Sequence, residues 1–123
     1  MTVSSKAPIV ITMGDPSGVG PEVTVKALAE LGDARRDFAV VGDRAVLARA
    51  LDACGLALPL VSPGEDGIAV IDVPVDGLPD RFGVLSDRCG EAVFQYIRTA
   101  VDWAASGRAA GIVTAPINKE ALN

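Results

Sequence analysis

Pro8-Ile9-Val10-Ile11-Thr12-Met13 is a continuous, largely β-branched apolar run that stops at Gly14-Asp15. An apolar run without polar alternation is the pattern of a strand buried on both faces, and such strands belong to parallel sheets covered by helices. The following segments supply those layers. Pro21 and Glu22 suit a first helical turn, and Val23, Ala27, Leu28 and Leu31 then fall on one face, with Lys26 and Glu30 elsewhere, until Gly32. Phe38-Ala39-Val40-Val41 reads as a second strand. Asp43 can cap a helix in which Val46, Leu47, Ala50, Leu51 and Cys54 recur at helical spacing up to Gly55.

Residues 59–83 are broken by proline and glycine around a single apolar run, Ile68 to Val73, and read as loops flanking one strand. Ser86 or Asp87 opens the longest helix, whose Val93, Tyr96, Ile97, Ala100, Val101 and Ala104 share a face and which Gly107 closes. Ala110-Gly111-Ile112-Val113-Thr114 reads as a last buried strand, stopped at Ala115-Pro116, and Asn118 as the cap of a further helix. This order predicts an α/β domain with a mostly parallel sheet and flanking helices. Parallel strands would bring Gly14-Asp15, Gly42-Asp43 and Thr114-Ala115-Pro116 to one carboxyl rim, where ligands collect in such sheets.

Composition narrows the chemistry. The 123 residues suffice for one core, and a net charge of −5 has the wrong sign for holding nucleic acid. There is no histidine, which excludes Ser-His and Cys-His catalytic pairs within the chain. Cys54 and Cys89 lie far apart without a CxxC partner and read as two buried reduced thiols. No apolar run approaches the roughly 18 residues that cross a bilayer, so no membrane partner and a cytoplasmic location are expected. Cys89, Tyr96 and Trp103 on an amphipathic helix read as core.

Two segments can carry function. In Gly14-Asp15-Pro16-Ser17-Gly18-Val19-Gly20-Pro21-Glu22, Gly14, Gly18 and Gly20 let backbone approach a ligand, although the same glycines suit a tight strand-to-helix turn. The segment is neither GxGxxG nor a P-loop, and Asp15 and Glu22 would repel a phosphate set directly on them. In the second segment Thr114 offers a hydroxyl, Asn118 an amide and Lys119 a cation, or else a capped helix carrying a solvated lysine. A lysine just after a cap is disfavoured by the helix dipole by ~0.3–1 kcal/mol, which favours a role other than stability.

The loop from Gly14 to Glu22, the Gly83-Val84-Leu85-Ser86 lead into a helix with Gly90, and the stretch from Ile112 to Leu122 together resemble the 4-hydroxythreonine-4-phosphate dehydrogenase family. The resemblance runs the length of this chain but matches only the N-terminal part of a member. It implies that residues 1–123 are the N-terminal α/β portion of a larger two-domain dehydrogenase, C-terminal part absent, with an isocitrate/isopropylmalate dehydrogenase-like fold and an obligate homodimer. It further implies NAD or NADP and a divalent metal in the complete enzyme, which oxidises and decarboxylates 4-phosphooxy-L-threonine in pyridoxal phosphate biosynthesis. Paralogues act on related hydroxy-acid phosphates. By the same resemblance Thr114, Asn118 and Lys119 lie near the phosphorylated hydroxy-acid substrate, and Gly14, Asp15, Gly18 and Gly20 line the active-site rim. The family's metal-binding histidines have no counterpart here, so no metal ligand or catalytic residue is assigned and this chain alone is expected to hold no cofactor and to be inactive. The other reading is a truncated, non-catalytic α/β fragment or a partner-binding module.

Overall fold

A computed structural model describes residues 7–80, 82–84 and 86–116. The elements run β1 (Ile9–Thr12), α1 (Gly20–Leu31), a 3-10 helix (Gly32–Asp37), β2 (Phe38–Gly42), α2 (Arg44–Cys54), β3 (Leu60–Val61), β4 (Ile68–Asp72), α3 (Asp87–Ala105) and β5 (Gly111–Thr114). The five strands form one sheet in the order β3-β4-β2-β1-β5. All four strand pairs are parallel, with Ile9 opposite Phe38 on one side and opposite Gly111 on the other. From β1 the chain steps to β2 and on to the edge strand β3, returns one place to β4 between β3 and β2, and α3 leads back across the sheet to β5. With right-handed crossovers this puts α1 and α2, which pack together, on one face and α3 on the other.

Local signals set the helix ends. Asp43 caps α2, its Oδ1 accepting from the amides of Ala45 at 2.9 Å and Val46 at 3.3 Å, and Gly55 ends that helix in the left-handed conformation. Ser86 caps α3 by accepting from the Arg88 amide at 3.1 Å. The core joins Val10, Met13, Val40, Val41, Leu47, Ile68 and Tyr96 between the layers.

Four expectations need correction. The buried face of α1 is Pro21, Thr24, Val25 and Leu28, whereas Val23 is 47% and Leu31 43% exposed. Two apolar stripes compete on this helix, and the anchored loop before it decides which turns inward. The Thr24 hydroxyl on the winning stripe donates to the Gly20 carbonyl at 2.8 Å. The segment expected to hold one strand also carries the two-residue β3, too short to show a period. Val101 and Trp103 on α3 are exposed and half-buried, and Cys54 is half-buried, since each sits at the margin of its helix's inner face. Lastly, β5 was expected to be buried on both faces, yet Ile112 is 40% and Val113 50% exposed, because among the described residues β5 is the outer strand and pairs only with β1.

Candidate functional site at the carboxyl rim

Because every strand is parallel, the loops that follow β1, β2, β4 and β5 emerge on one rim. The chain leaves β1 toward β2, while β5 lies on the other side of β1, so chain direction reverses between β1 and β5. Such a switch point is where open α/β sheets form their ligand crevice. Residues 14–20 line one side of it and Thr114-Ala115-Pro116 the other.

The glycine loop is stitched inward. Asp15 is only 4% exposed, and its Oδ1 accepts from the Ser17 amide at 2.9 Å while the Gly18 amide donates to the Asp15 carbonyl at 3.0 Å, an Asx-type turn. Ser17, equally buried, donates its hydroxyl to the Val84 carbonyl and accepts from the Cys89 thiol at 3.5 Å. Its carbonyl accepts from the Gly83 amide at 2.6 Å. Burial pushes the Cys89 thiol above its ordinary range, a push that the Ser17 bond opposes and the neighbouring Asp15 charge reinforces. At neutral pH the sulfur therefore keeps the proton it donates.

The loop also touches the opposite wall. The Asp15 amide donates to the Pro116 carbonyl at 3.4 Å. Gly14 has φ +80°, and a Cβ there would overlap the Pro116 carbonyl oxygen. A Cβ at Gly20 would overlap the Met13 carbonyl oxygen and stand 2.9 Å from that of Pro116. Glycine is required at both positions by backbone approach.

The structure thus places Gly14, Asp15, Gly18 and Gly20 on the same rim as Thr114, which is exposed at the end of β5 and in register with Thr12. Asn118 and Lys119 lie outside the described residues. Ser17, Val84 and Cys89 were not singled out from sequence as site residues. An Asp-x-Ser turn signature marks Ser17, but nothing in the spacing shows that it reaches across 67 residues to Val84.

Asp43 and Asp72 stand on the same rim, and the Asp72 carboxyl accepts from the Arg44 amide at 2.9 Å. Among the described residues no group of three His, Cys, Asp or Glu side chains is placed to hold a metal ion. The loop amides of Asp15, Ser17 and Gly18 are already bonded within the protein, so the loop is not an open cradle for the phosphates of a dinucleotide. Two buried hydroxyls, Thr12 Oγ1 and Tyr96 Oη, lack hydrogen-bond partners. Burial, with the charges of Asp43, Cys89, Asp72 and Asp15, keeps the Tyr96 phenol protonated well above its usual range.

A cleft of about 890 Å³ opens at the amino end of the strands between Ile9, Phe38, Trp103, Arg36 and Arg108. The Arg108 guanidinium covers the Trp103 ring at 4.6 Å, and Arg36 makes an exposed pair with Asp66 at 3.8 Å. Volume without convergent buried polar groups does not make a site. The rim is the better candidate.

A model of the family described as pyridoxal phosphate biosynthetic protein PdxA matches residues 34–123. The chain belongs to the PdxA family. It is similar to a 4-hydroxythreonine-4-phosphate dehydrogenase of Trichlorobacter lovleyi, 37% identical over 96% of this chain and 38% of that protein. It is also similar to a protein of Bradyrhizobium diazoefficiens provisionally named D-threonate 4-phosphate dehydrogenase, 40% identical over 94% of this chain and 36% of that protein. The crystal structure of a 4-hydroxythreonine-4-phosphate dehydrogenase from Burkholderia phymatum superimposes with a TM-score of 0.85 at 40% identity, covering 97% of this chain and 39% of that one. The PdxA-family chain therefore spans somewhat more than a third of the length of these relatives and shares their isocitrate/isopropylmalate dehydrogenase-like α/β fold over that part. No helix among the described residues is long and apolar enough to cross a membrane.

Proposed function

We propose that the chain is the N-terminal α/β portion of a dehydrogenase acting on a four-carbon hydroxy acid phosphorylated at its terminal oxygen, with 4-phosphooxy-L-threonine as the first substrate to test. The observation that carries the reading is the meeting of residues 14–20 with Thr114-Ala115-Pro116 at the β1/β5 switch point of a PdxA-family fold. Both relatives' names specify a 4-phosphate on a threonine-like skeleton, so the reading commits to that class.

Asp15, Asp43 and Asp72 make the described rim acidic, and a substrate phosphate needs a cation there. Lys119, three residues past Pro116, would supply it, with Asn118 donating an amide N–H and Thr114 a hydroxyl to the substrate's polar groups. Gly14, Asp15, Gly18 and Gly20 would shape the facing wall. The nicotinamide cofactor, NAD or NADP, and the divalent metal would be held by parts of the longer polypeptide. On this reading the complete enzyme is a cytoplasmic homodimer, and the apolar side chains that β5 exposes are covered by the rest of the polypeptide.

The test is an NAD(P)-linked assay with 4-phosphooxy-L-threonine and D-threonate 4-phosphate on the polypeptide extended to the relatives' length, beside the 123-residue chain. Turnover of either substrate by the extended protein and of neither by the short chain supports the reading. An extended protein that is folded yet inert toward both contradicts it.

A further inference from the structure

We infer that Ser17 is a positioning residue for the substrate site, fixing the glycine loop so that the loop in turn holds the Pro116 backbone. The inference rests on the proposed dehydrogenase reading for its kinetic consequence, and on the hydrogen-bond geometry alone for its structural one. Among the contacts described, Ser17 provides the loop's ties to the lead-in of α3. Its hydroxyl donates to the Val84 carbonyl and accepts from the Cys89 thiol, and its carbonyl accepts from Gly83. The donor and acceptor capacities of the hydroxyl are both used, and the site is buried, so no water replaces a lost partner.

On its far side the same loop bears on Pro116. The Asp15 amide donates to the Pro116 carbonyl at 3.4 Å, and Gly14 and Gly20 leave the space that carbonyl occupies. Met13, fully buried, backs Gly20 and cannot yield. The Ala115 amide ties the end of β5 to the Thr12 carbonyl at 3.0 Å, and beyond that point the Pro116 carbonyl is held by a loop that Ser17 anchors. From Pro116 the chain proceeds directly to Asn118 and Lys119. Loosening the loop would shift the rim at Pro116, the wall that faces residues 14–20, without touching the reacting atoms. That predicts a loss of substrate binding shared by ground state and transition state, hence a raised KM with kcat preserved.

The experiment compares Ser17→Ala with Tyr96→Phe in the full-length polypeptide. Tyr96→Phe removes another buried hydroxyl from the same region, but one without a hydrogen-bond partner. Ser17→Ala should raise KM for the phosphorylated hydroxy acid about fivefold to tenfold with kcat within about twofold, and Tyr96→Phe should leave both unchanged. Equal KM values for folded Ser17→Ala and wild type, or a loss confined to kcat, overturn the inference. Hydrogen exchange of the peptide covering residues 13–20 gives a readout independent of turnover. The Asp15 amide should exchange at least about tenfold faster in Ser17→Ala, and unchanged protection overturns the structural link. If wild-type enzyme turns over no phosphohydroxy acid, the dehydrogenase reading fails while exchange still decides the role of Ser17.

Discussion

The two ends of the sheet differ in what holds them. At the carboxyl end the chain closes on itself, with Asp15 and Ser17 buried and the loop of residues 14–20 meeting both Gly83-Val84 and Pro116 at hydrogen-bond distance. At the amino end a cleft of about 890 Å³ is open, and its arginines pair with exposed partners or lie over a half-buried ring. The open cleft is at the amino end and the tight backbone contacts are at the carboxyl end. Backbone that must approach backbone leaves little freedom for substitution, whereas an open cleft tolerates it. Function at the rim is therefore expected to depend on geometry set deep in the loop.

The largest effect that would break this comparison is at Gly14. Gly14→Ala forces an alanine into φ +80° against the Pro116 carbonyl. Strain and overlap together should cost about 3 kcal/mol or more. Thermal or denaturant unfolding checks it, and a variant as stable as wild type would show that the two rim segments do not press on each other.

A smaller effect comes from Cys89. Its thiol titrates higher in the folded state than in the unfolded chain, so the unfolded state binds fewer protons once pH exceeds roughly 8.5. Stability from this group is fully present below that pH and falls as pH rises toward the folded value. Denaturation midpoints between pH 8 and 10 should decline in wild type and decline less in Cys89→Ala. Parallel slopes would place the thiol in a looser, wetter setting than the Ser17 contact implies.

The smallest effect belongs to the amino end. Gly111 opens β5 with nothing within 4 Å of its would-be Cβ and without a positive φ. Gly111→Ala should change stability by no more than about 0.5 kcal/mol. A melting temperature lowered as far as that of Gly14→Ala would erase the contrast between the ends.

Much of the fold was legible because its signals are local. Asp43, Gly55 and Ser86 mark helix ends through bonds to residues two or three away or through a single φ angle. The apolar runs at β1, β2 and β4 announce strands buried on both faces, and their order gives the parallel sheet. What could not be read is what depends on distance along the chain. Periodicity put Val23, Ala27, Leu28 and Leu31 on the inner face of α1, and of these only Leu28 is buried, because the helix anchored at Gly20 turns Thr24 and Val25 inward instead. The pattern of β5 is that of a covered strand, but cover is a property of neighbours. At the rim, glycine spacing pointed to Gly14, Gly18 and Gly20, while Ser17 depends on Val84 and Cys89 arriving from another part of the chain.

The most direct test of the rim as the substrate site sets Lys119, the cation proposed for the substrate phosphate, against Arg108 of the amino-end cleft, in the full-length enzyme. Lys119→Met and Arg108→Met are compared for kcat/KM with the phosphorylated hydroxy acid and for melting temperature. The account predicts a loss of about tenfold or more for Lys119→Met, equivalent to ~1.4 kcal/mol of transition-state binding, with unchanged melting, and a change within about twofold for Arg108→Met. Near-wild-type kinetics for Lys119→Met together with a tenfold loss for Arg108→Met would contradict it and move the site to the amino-end cleft.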